Sequence, residues 1–288
     1  MLEFTLNDGN RIPAIAFGTG TALYNQDASA FVRLAIETGI THLDGAQMYE
    51  NEETLGKGIK SSGKPRSELF ITTKLHILKP GQTVRETLVE SLGKIGVDYV
   101  DLFLIHDPTA NRKEATLSEI WSQLEALKNE GLTKSIGVSN FKVEDLNEIL
   151  PGAKIIPAVN QIEFHPYVLK AASPIIELCK AKGIIVASYG GQTPIVRVTD
   201  GPLKDLLPKI RERLEQTRGS PVTEGQVLTK WLLQKNVIAI STSSKESRIK
   251  EFLSTVDVPD LTKQEIESID NAGSTIHKRI YMKHIFNE

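Results

Sequence analysis

The chain has 288 residues, of which 40% are hydrophobic and 24% charged, with a formal net charge of −2. Acids and bases are mixed along it, which excludes the basic stripe of a general nucleic-acid binder and the polybasic face of a membrane-surface protein. The one cysteine, Cys179, allows no intrachain disulfide and no Cys/His zinc cluster, and no apolar run approaches the roughly 20 residues of a membrane helix.

The N-terminal stretch MLEFTLNDGN lacks the basic and apolar regions of a secretory signal, so a cytoplasmic protein is expected. Asp8-Gly9 flanked by alternating apolar residues predicts a hairpin from about Glu3 to Ile12. After it, short Val/Ile-rich runs alternate with longer helical patterns. AIAFGTG precedes ASAFVRLAIETG, THLDGA precedes NEETLGKGIKSSG, and LFITTKL precedes TVRETLVESLGKIG. YVDLFLIH, KSIGVSN, IPAVNQIEF, IIVASYG and VIAISTS each begin a further unit of the same kind. The runs are nearly continuous in apolar character, as parallel strands covered on their outer face require. The helical patterns carry apolar residues at three-to-four spacing, as in Leu88, Leu92 and Ile95. Gly39, Gly96, Gly131 and Gly183 stand between a helical pattern and the next strand, where a left-handed C′ residue is wanted.

Eight such units predict a (β/α)8 barrel of the TIM type, one domain over residues 1–288. A doubly wound sheet is the second choice, because no Gly-x-Gly-x-x-Gly turn follows any strand. Two segments are surplus: an extra helix over 202–219 after the seventh strand, and a tail over 274–288 that could fold across one mouth. Trp121, Trp231 and Cys179 fall in amphipathic patterns and are expected in the core.

Barrel active sites sit at the C-terminal ends of the strands. The second strand ends at Asp44, with Tyr49 five residues on. The third ends with Lys74, with His76 just after, and the fourth is followed by His106. Ser139 and Asn140, then Asn160, Gln161, Glu163 and His165, then Ser188 and Tyr189, and Ser241 to Ser244 end the remaining strands. Taken singly, Asp44 reads as a helix cap, Tyr49 as a rim aromatic and His106 as a core histidine. Together on consecutive strand ends they read as a constellation. A lysine beside a phenol favours the phenolate and lowers its pKa from about 10, a carboxylate keeps the lysine charged, and a histidine polarises a carbonyl oxygen. The chemistry expected is proton transfer to a carbonyl oxygen, or from an alcohol, without a metal ligand set.

HLDGAQMYENEETLGKGI, FITTKL, DLFLIHDP, IGVSNF and VNQIEFHPY resemble, in order and spacing, the signature stretches of the aldo-keto reductase superfamily. The likeness runs from Phe4 to about residue 251, and STSSKESRIKE looks most like fungal members of the conjugated polyketone reductase type. The resemblance implies an NADPH-dependent reductase of aldehydes, ketones or dicarbonyls. It implies Tyr49 as proton donor, Lys74 as its partner, Asp44 as orienter of Lys74, and His106 as carbonyl-orienting residue. It implies Ser139, Asn140 and Gln161 at the nicotinamide carboxamide and Tyr189 stacked on the ring. Ser243 and Arg248 would hold the adenosine 2′-phosphate, a task suited to the bidentate guanidinium.

Three departures stand out: Gly45 where the family often has Thr, GGQTP after Tyr189 where it usually has Ser-Pro-Leu-Gly, and Thr242 where a lysine often precedes Ser243. The pocket is expected to be lined by Ala22, Leu23, Tyr24, His76, Ile77, residues after His106, and the tail. The expected partner is a small-molecule carbonyl, with no nucleic acid and no membrane, and the chain is expected to act as a monomer. The alternatives are a non-catalytic or regulatory NADP(H)-binding member of the superfamily, and a Schiff-base aldolase using Lys74.

Overall fold

The computed structural model describes residues 2–286. Strands β1 (Glu3–Thr5) and β2 (Arg11–Pro13) form the antiparallel hairpin, with Glu3 opposite Pro13, one residue beyond the expected end. Gly9 makes its turn at φ 84°. The hairpin closes the N-terminal end of the barrel: Leu6 and Ile12 are buried against Phe70, Leu102, Val159 and Ile238.

Eight parallel strands complete the sheet: β3 (Ile15–Gly18), β4 (His42–Asp44), β5 (Phe70–Leu75), β6 (Val100–Ile105), β7 (Thr133–Ser139), β8 (Val159–Glu163), β9 (Ile185–Tyr189) and β10 (Val237–Ser241). They pair in sequence order and β10 closes on β3, a complete (β/α)8 barrel. Closure leaves no open edge. Every residue of β5, FITTKL, is buried, because the outer face is covered by helices and the inner face by packed side chains.

The helices are α1 (Ser29–Thr38), α2 (Glu52–Ser62), α3 (Val84–Ile95), α4 (Leu117–Asn129), α5 (Val143–Ile149), α6 (Leu169–Ala181), α7 (Thr193–Val196), α8 (Leu207–Arg218), α9 (Glu224–Gln234), α10 (Glu246–Leu253), α11 (Lys263–Gly273) and α12 (Lys283–Phe286). Thr83/Glu86, Thr116/Glu119 and Thr223/Gln226 form reciprocal capping boxes at α3, α4 and α9. The four expected C′ glycines, 39, 96, 131 and 183, all have positive φ.

Two elements differ from expectation. The extra helix α8 begins at Leu207, not at 202, with turns before it. Pro208 explains the start: it lacks an N–H and is tolerated only in a first turn. Helix α11 was not among the expected elements, although its Thr262/Glu265 capping box is the same signal that marks α3 and α4.

Trp231 lies stacked on Phe164 at 5.3 Å and donates to Asp270, and Trp121 donates to the Ile155 carbonyl, so both are core residues with satisfied indoles. Cys179 is buried in the same core, where burial pushes its thiol up to about 11. The tail does cross the C-terminal mouth: Lys278 N–H donates to Tyr167 O at 3.0 Å, and Tyr281 and Met282 reach the central cavity. Among the described residues no helix is long and apolar enough to cross a membrane.

Candidate active site

The barrel registers bring the key residues to the C-terminal ends of adjacent strands, with Lys74 two residues beyond the partner of Asp44. Asp44 pairs with Gly18 on one side and Thr72 on the other, and Lys74 pairs with Leu104. Lys74 is fully buried and Asp44 is 2% exposed. Lys74 Nζ donates to Asp44 Oδ1 at 2.6 Å, to the Gly45 carbonyl at 2.8 Å and to the Tyr49 hydroxyl at 3.3 Å. All three ammonium protons therefore have acceptors. Gln161 Nε2 donates to the second Asp44 oxygen at 2.7 Å, which fixes the carboxylate from the opposite side of the barrel.

Tyr49 ends a short 3-10 turn, Gln47–Tyr49, and its ring rests on Gly20. A Cβ at position 20 would stand 2.9 Å from the ring, so only glycine leaves the phenol where it is. His106 follows β6 and meets Tyr49 edge-on, with ring centroids 5.5 Å apart. Its Nδ1 is buried without a partner among the described residues. Gly45 is also a close fit: a Cβ there would stand 2.9 Å from Leu55 Cδ2.

The electrostatics modify the expectation from sequence. Burial opposes the Lys74 ammonium, but Asp44 and the Tyr49 hydroxyl outweigh it and hold the lysine above its ordinary range. From its lysine neighbour alone, Tyr49 is expected below about 10. Instead burial dominates and raises it, with Lys74 pulling down and Asp44 pushing up. The correction has a simple cause: desolvation of a phenolate costs more here than one neighbouring ammonium returns. Tyr49 is thus held protonated, with a charged lysine on its oxygen. His106 lies well below its ordinary range, through burial first and then Lys74 and His76, so its imidazole is neutral.

A cavity of about 1130 Å³ opens from Tyr49 and His106 and runs past Tyr189 to Arg248. Gln161, Tyr189, Ser243 and Arg248 all line it. Ser139 and Asn140 stand behind this lining: the Ser139 hydroxyl donates to Gln161 O at 2.8 Å, and Asn140 Oδ1 accepts from the Tyr189 hydroxyl at 2.6 Å. Ser139 and Asn140 thus fix the residues that face the cavity. GGQTP forms the tight entry into α7, with Gly190 at φ 69° and Gln192 Nε2 tied to Gly225 O and Thr229 Oγ1 on α9. At the far end, the N-terminus of α10 has no side-chain cap, Ser243 turns onto Lys245 N–H, and Arg248 is exposed with no ion-pair partner among the described residues. Free helix N–H groups beside an unpaired arginine suit a phosphate. The elongated cavity and this cationic end fit a phosphorylated dinucleotide.

On the substrate side, Thr21, Ala22, Tyr24, Met48, Tyr281 and Met282 line the cavity. Leu23 packs into the core instead, and His76 and Ile77 lie outside the lining, Ile77 at 57% exposure. The sequence pattern did not single out Gly20, or the grip of Gln161 on Asp44.

A (β/α)8 barrel with a buried Asp-Lys pair beneath a tyrosine and a dinucleotide-shaped cleft defines an oxidoreductase of carbonyl compounds. The aldo/keto reductase family model matches residues 14–274. An NAD/NADP-dependent indole-3-acetaldehyde reductase of Schizosaccharomyces pombe is 41% identical, over 96% of this chain and 97% of that one. An NADPH-dependent alpha-keto amide reductase of Saccharomyces cerevisiae is 35% identical, over 94% of this chain and 90% of its own. The crystal structure of an aldo/keto reductase from Brucella melitensis superposes with a TM-score of 0.81 at 31% identity, covering 94% of this chain and 99% of that one. The chain belongs to the aldo/keto reductase family. These relatives give the non-catalytic alternative no support.

Proposed function

We propose that the chain reduces a small aldehyde, ketone or dicarbonyl to the alcohol with Tyr49 as the proton donor. The observation that carries this is the Lys74 ammonium, buried with Asp44 and 3.3 Å from the Tyr49 hydroxyl. A reduced nicotinamide cofactor held in the cleft would supply the hydride. Tyr49 gives its proton to the carbonyl oxygen as negative charge develops there, and Lys74 stabilises the phenolate left behind. Asp44 keeps Lys74 charged and aimed, and Gln161 keeps Asp44 in place. Neutral His106 orients the carbonyl oxygen by a hydrogen bond.

Gln161 and Tyr189 would flank the nicotinamide, backed by Ser139 and Asn140. Ser243 and Arg248 would take the adenosine 2′-phosphate. The relatives are named for indole-3-acetaldehyde and for alpha-keto amides, both carbonyl compounds of small to medium size. We further read the chain as one barrel domain, working as a cytoplasmic monomer without nucleic acid. A Schiff-base aldolase is disfavoured by the same ion pair, because a lysine held charged cannot attack a carbonyl.

The test is NADPH oxidation against a panel of aldehydes, α-keto esters and diketones, with Tyr49→Phe in parallel. The wild type is expected to turn over. The variant should lose about 10²–10⁴-fold in kcat while NADPH still quenches the protein fluorescence. Full activity in the variant would sink the assignment.

A further inference from the structure

Glu163 ends β8 in the mouth of the barrel and takes no part in the chemistry above. It is fully buried, and a buried carboxylate is stable only when its oxygens are occupied. Its partners are in the tail. Glu163 Oε1 accepts from Ile280 N–H at 2.9 Å, and Oε2 from Tyr281 N–H at 2.9 Å and Ile280 N–H at 3.1 Å. His165 Nε2 lies 3.0 Å from Oε1. The other ring nitrogen decides the tautomer: Tyr167 N–H donates to His165 Nδ1 at 3.2 Å, so Nε2 carries the proton and donates to Glu163. Burial lowers His165, in keeping with a neutral ring.

These bonds hold Ile280 and Tyr281, at the end of a stretch without regular secondary structure, residues 277–280, in which Lys278 N–H is held separately by Tyr167 O. They also fix the two side chains next along the tail. Tyr281 stands edge-on to Tyr189 with ring centroids 5.8 Å apart, and Tyr281 and Met282 line the same cavity as Tyr49 and His106. Tyr24 and Met48 line that cavity too. Two tyrosine rings and two thioethers on one cavity favour an aromatic guest.

We propose that Glu163 is a positioning residue for the substrate: by holding the Ile280 and Tyr281 amides it makes Tyr281 and Met282 a wall of the substrate pocket, and that wall selects carbonyl compounds bearing an aromatic ring. The proposal rests on the reductase reading above. It separates fixing the tail from the proton transfer, since Glu163 touches none of Asp44, Tyr49, Lys74 or His106 through any hydrogen bond among the described residues.

Glu163→Gln is the sharpest variant. Every group on the two oxygens is an N–H donor, so the new amide NH2 must face a donor whichever way it turns. The measurement is kcat/KM for benzaldehyde over kcat/KM for propanal. That ratio is expected to fall about tenfold in the variant, chiefly through the benzaldehyde KM. Amide hydrogen exchange at Ile280 and Tyr281 should speed up, and NADPH affinity by fluorescence quenching should stay within about twofold. Tyr281→Ala is expected to lower the same ratio at least as far, and the double variant no further. A ratio unchanged in Glu163→Gln despite faster exchange overturns the proposal, as does an equal fall for both aldehydes. If Glu163→Gln does not fold, an unchanged ratio in Tyr281→Ala overturns it. A wild type that turns over neither aldehyde overturns the reductase reading, and this proposal with it.

Discussion

The two ends of the cavity are built in opposite ways. At the catalytic end, Asp44 and Lys74 are removed from water, sit on rigid strands and have every polar atom engaged by protein. At the far end, Arg248 is exposed on α10 and its side chain makes no hydrogen bond or ion pair to a described residue. The Asp44–Lys74 pair is finished before any ligand arrives, while His106 Nδ1 is left without a described partner there. The far end has groups that only an anionic ligand would complete. The difference teaches where a substitution should be felt: in folding and chemistry together at the one end, in ligand affinity alone at the other.

The largest expected effect comes from breaking the finished end. Lys74→Met leaves the Asp44 carboxylate buried beside Gln161 with its cation gone. Stability should fall by about 3–5 kcal/mol, and reduction should fall at least as far as in Tyr49→Phe. Urea unfolding measures the first. A second variant sharpens the point: Asp44→Asn combined with Lys74→Met removes both charges and should recover most of the stability but none of the activity. If the double variant is as unstable as the single one, the buried charge is not what destabilises it.

A smaller effect concerns His42, two residues before Asp44 on the same strand. Its Nδ1 lies 3.1 Å from Pro13 O and its Nε2 3.0 Å from Thr72 Oγ1. Burial lowers it from 6.5 to about 4. The folded chain therefore keeps a neutral ring where the unfolded chain takes up a proton. The stability is present in full above pH 6.5 and is lost as pH falls from 6.5 toward 4, by up to about 3 kcal/mol from this residue. His106 and His165 are lowered too and act in the same direction. Urea unfolding at pH 7, 6 and 5 should show the decline, and His42→Gln should flatten it by about one proton. An unchanged slope in that variant would place the uptake elsewhere.

The finished end was largely legible in the sequence, because a charged or phenolic residue closing an apolar run is rare enough to be read. Asp44, Lys74 and His106 could be placed on adjacent strand ends by counting units. The direction of the Tyr49 shift could not, because burial is a property of the assembled barrel and not of the loop that carries the phenol. Glu163 could be seen to end a strand, but apart from His165 the donors to its oxygens are backbone amides 117 and 118 residues later, which have no residue type to read. The helix α11 shows the other kind of miss: its capping box was in the sequence, but the count of eight units was already complete without it. The start of α8 was also legible in principle, since Pro208 sits in its first turn.

The smallest effect tests the open end. Arg248→Leu removes an exposed side chain with no described partner, so unfolding should change by no more than about 0.5 kcal/mol. NADPH affinity should fall about tenfold, from the loss of a charge-assisted contact to phosphate. NADH lacks that phosphate, so its affinity should be unaffected. The ratio of the two dissociation constants, taken by fluorescence quenching in one buffer, isolates the residue from any general disturbance of the cleft. A parallel weakening of both nucleotides would mean that Arg248 supports the shape of α10 or packs on the adenine. The far end would then be as much a finished structure as the catalytic one.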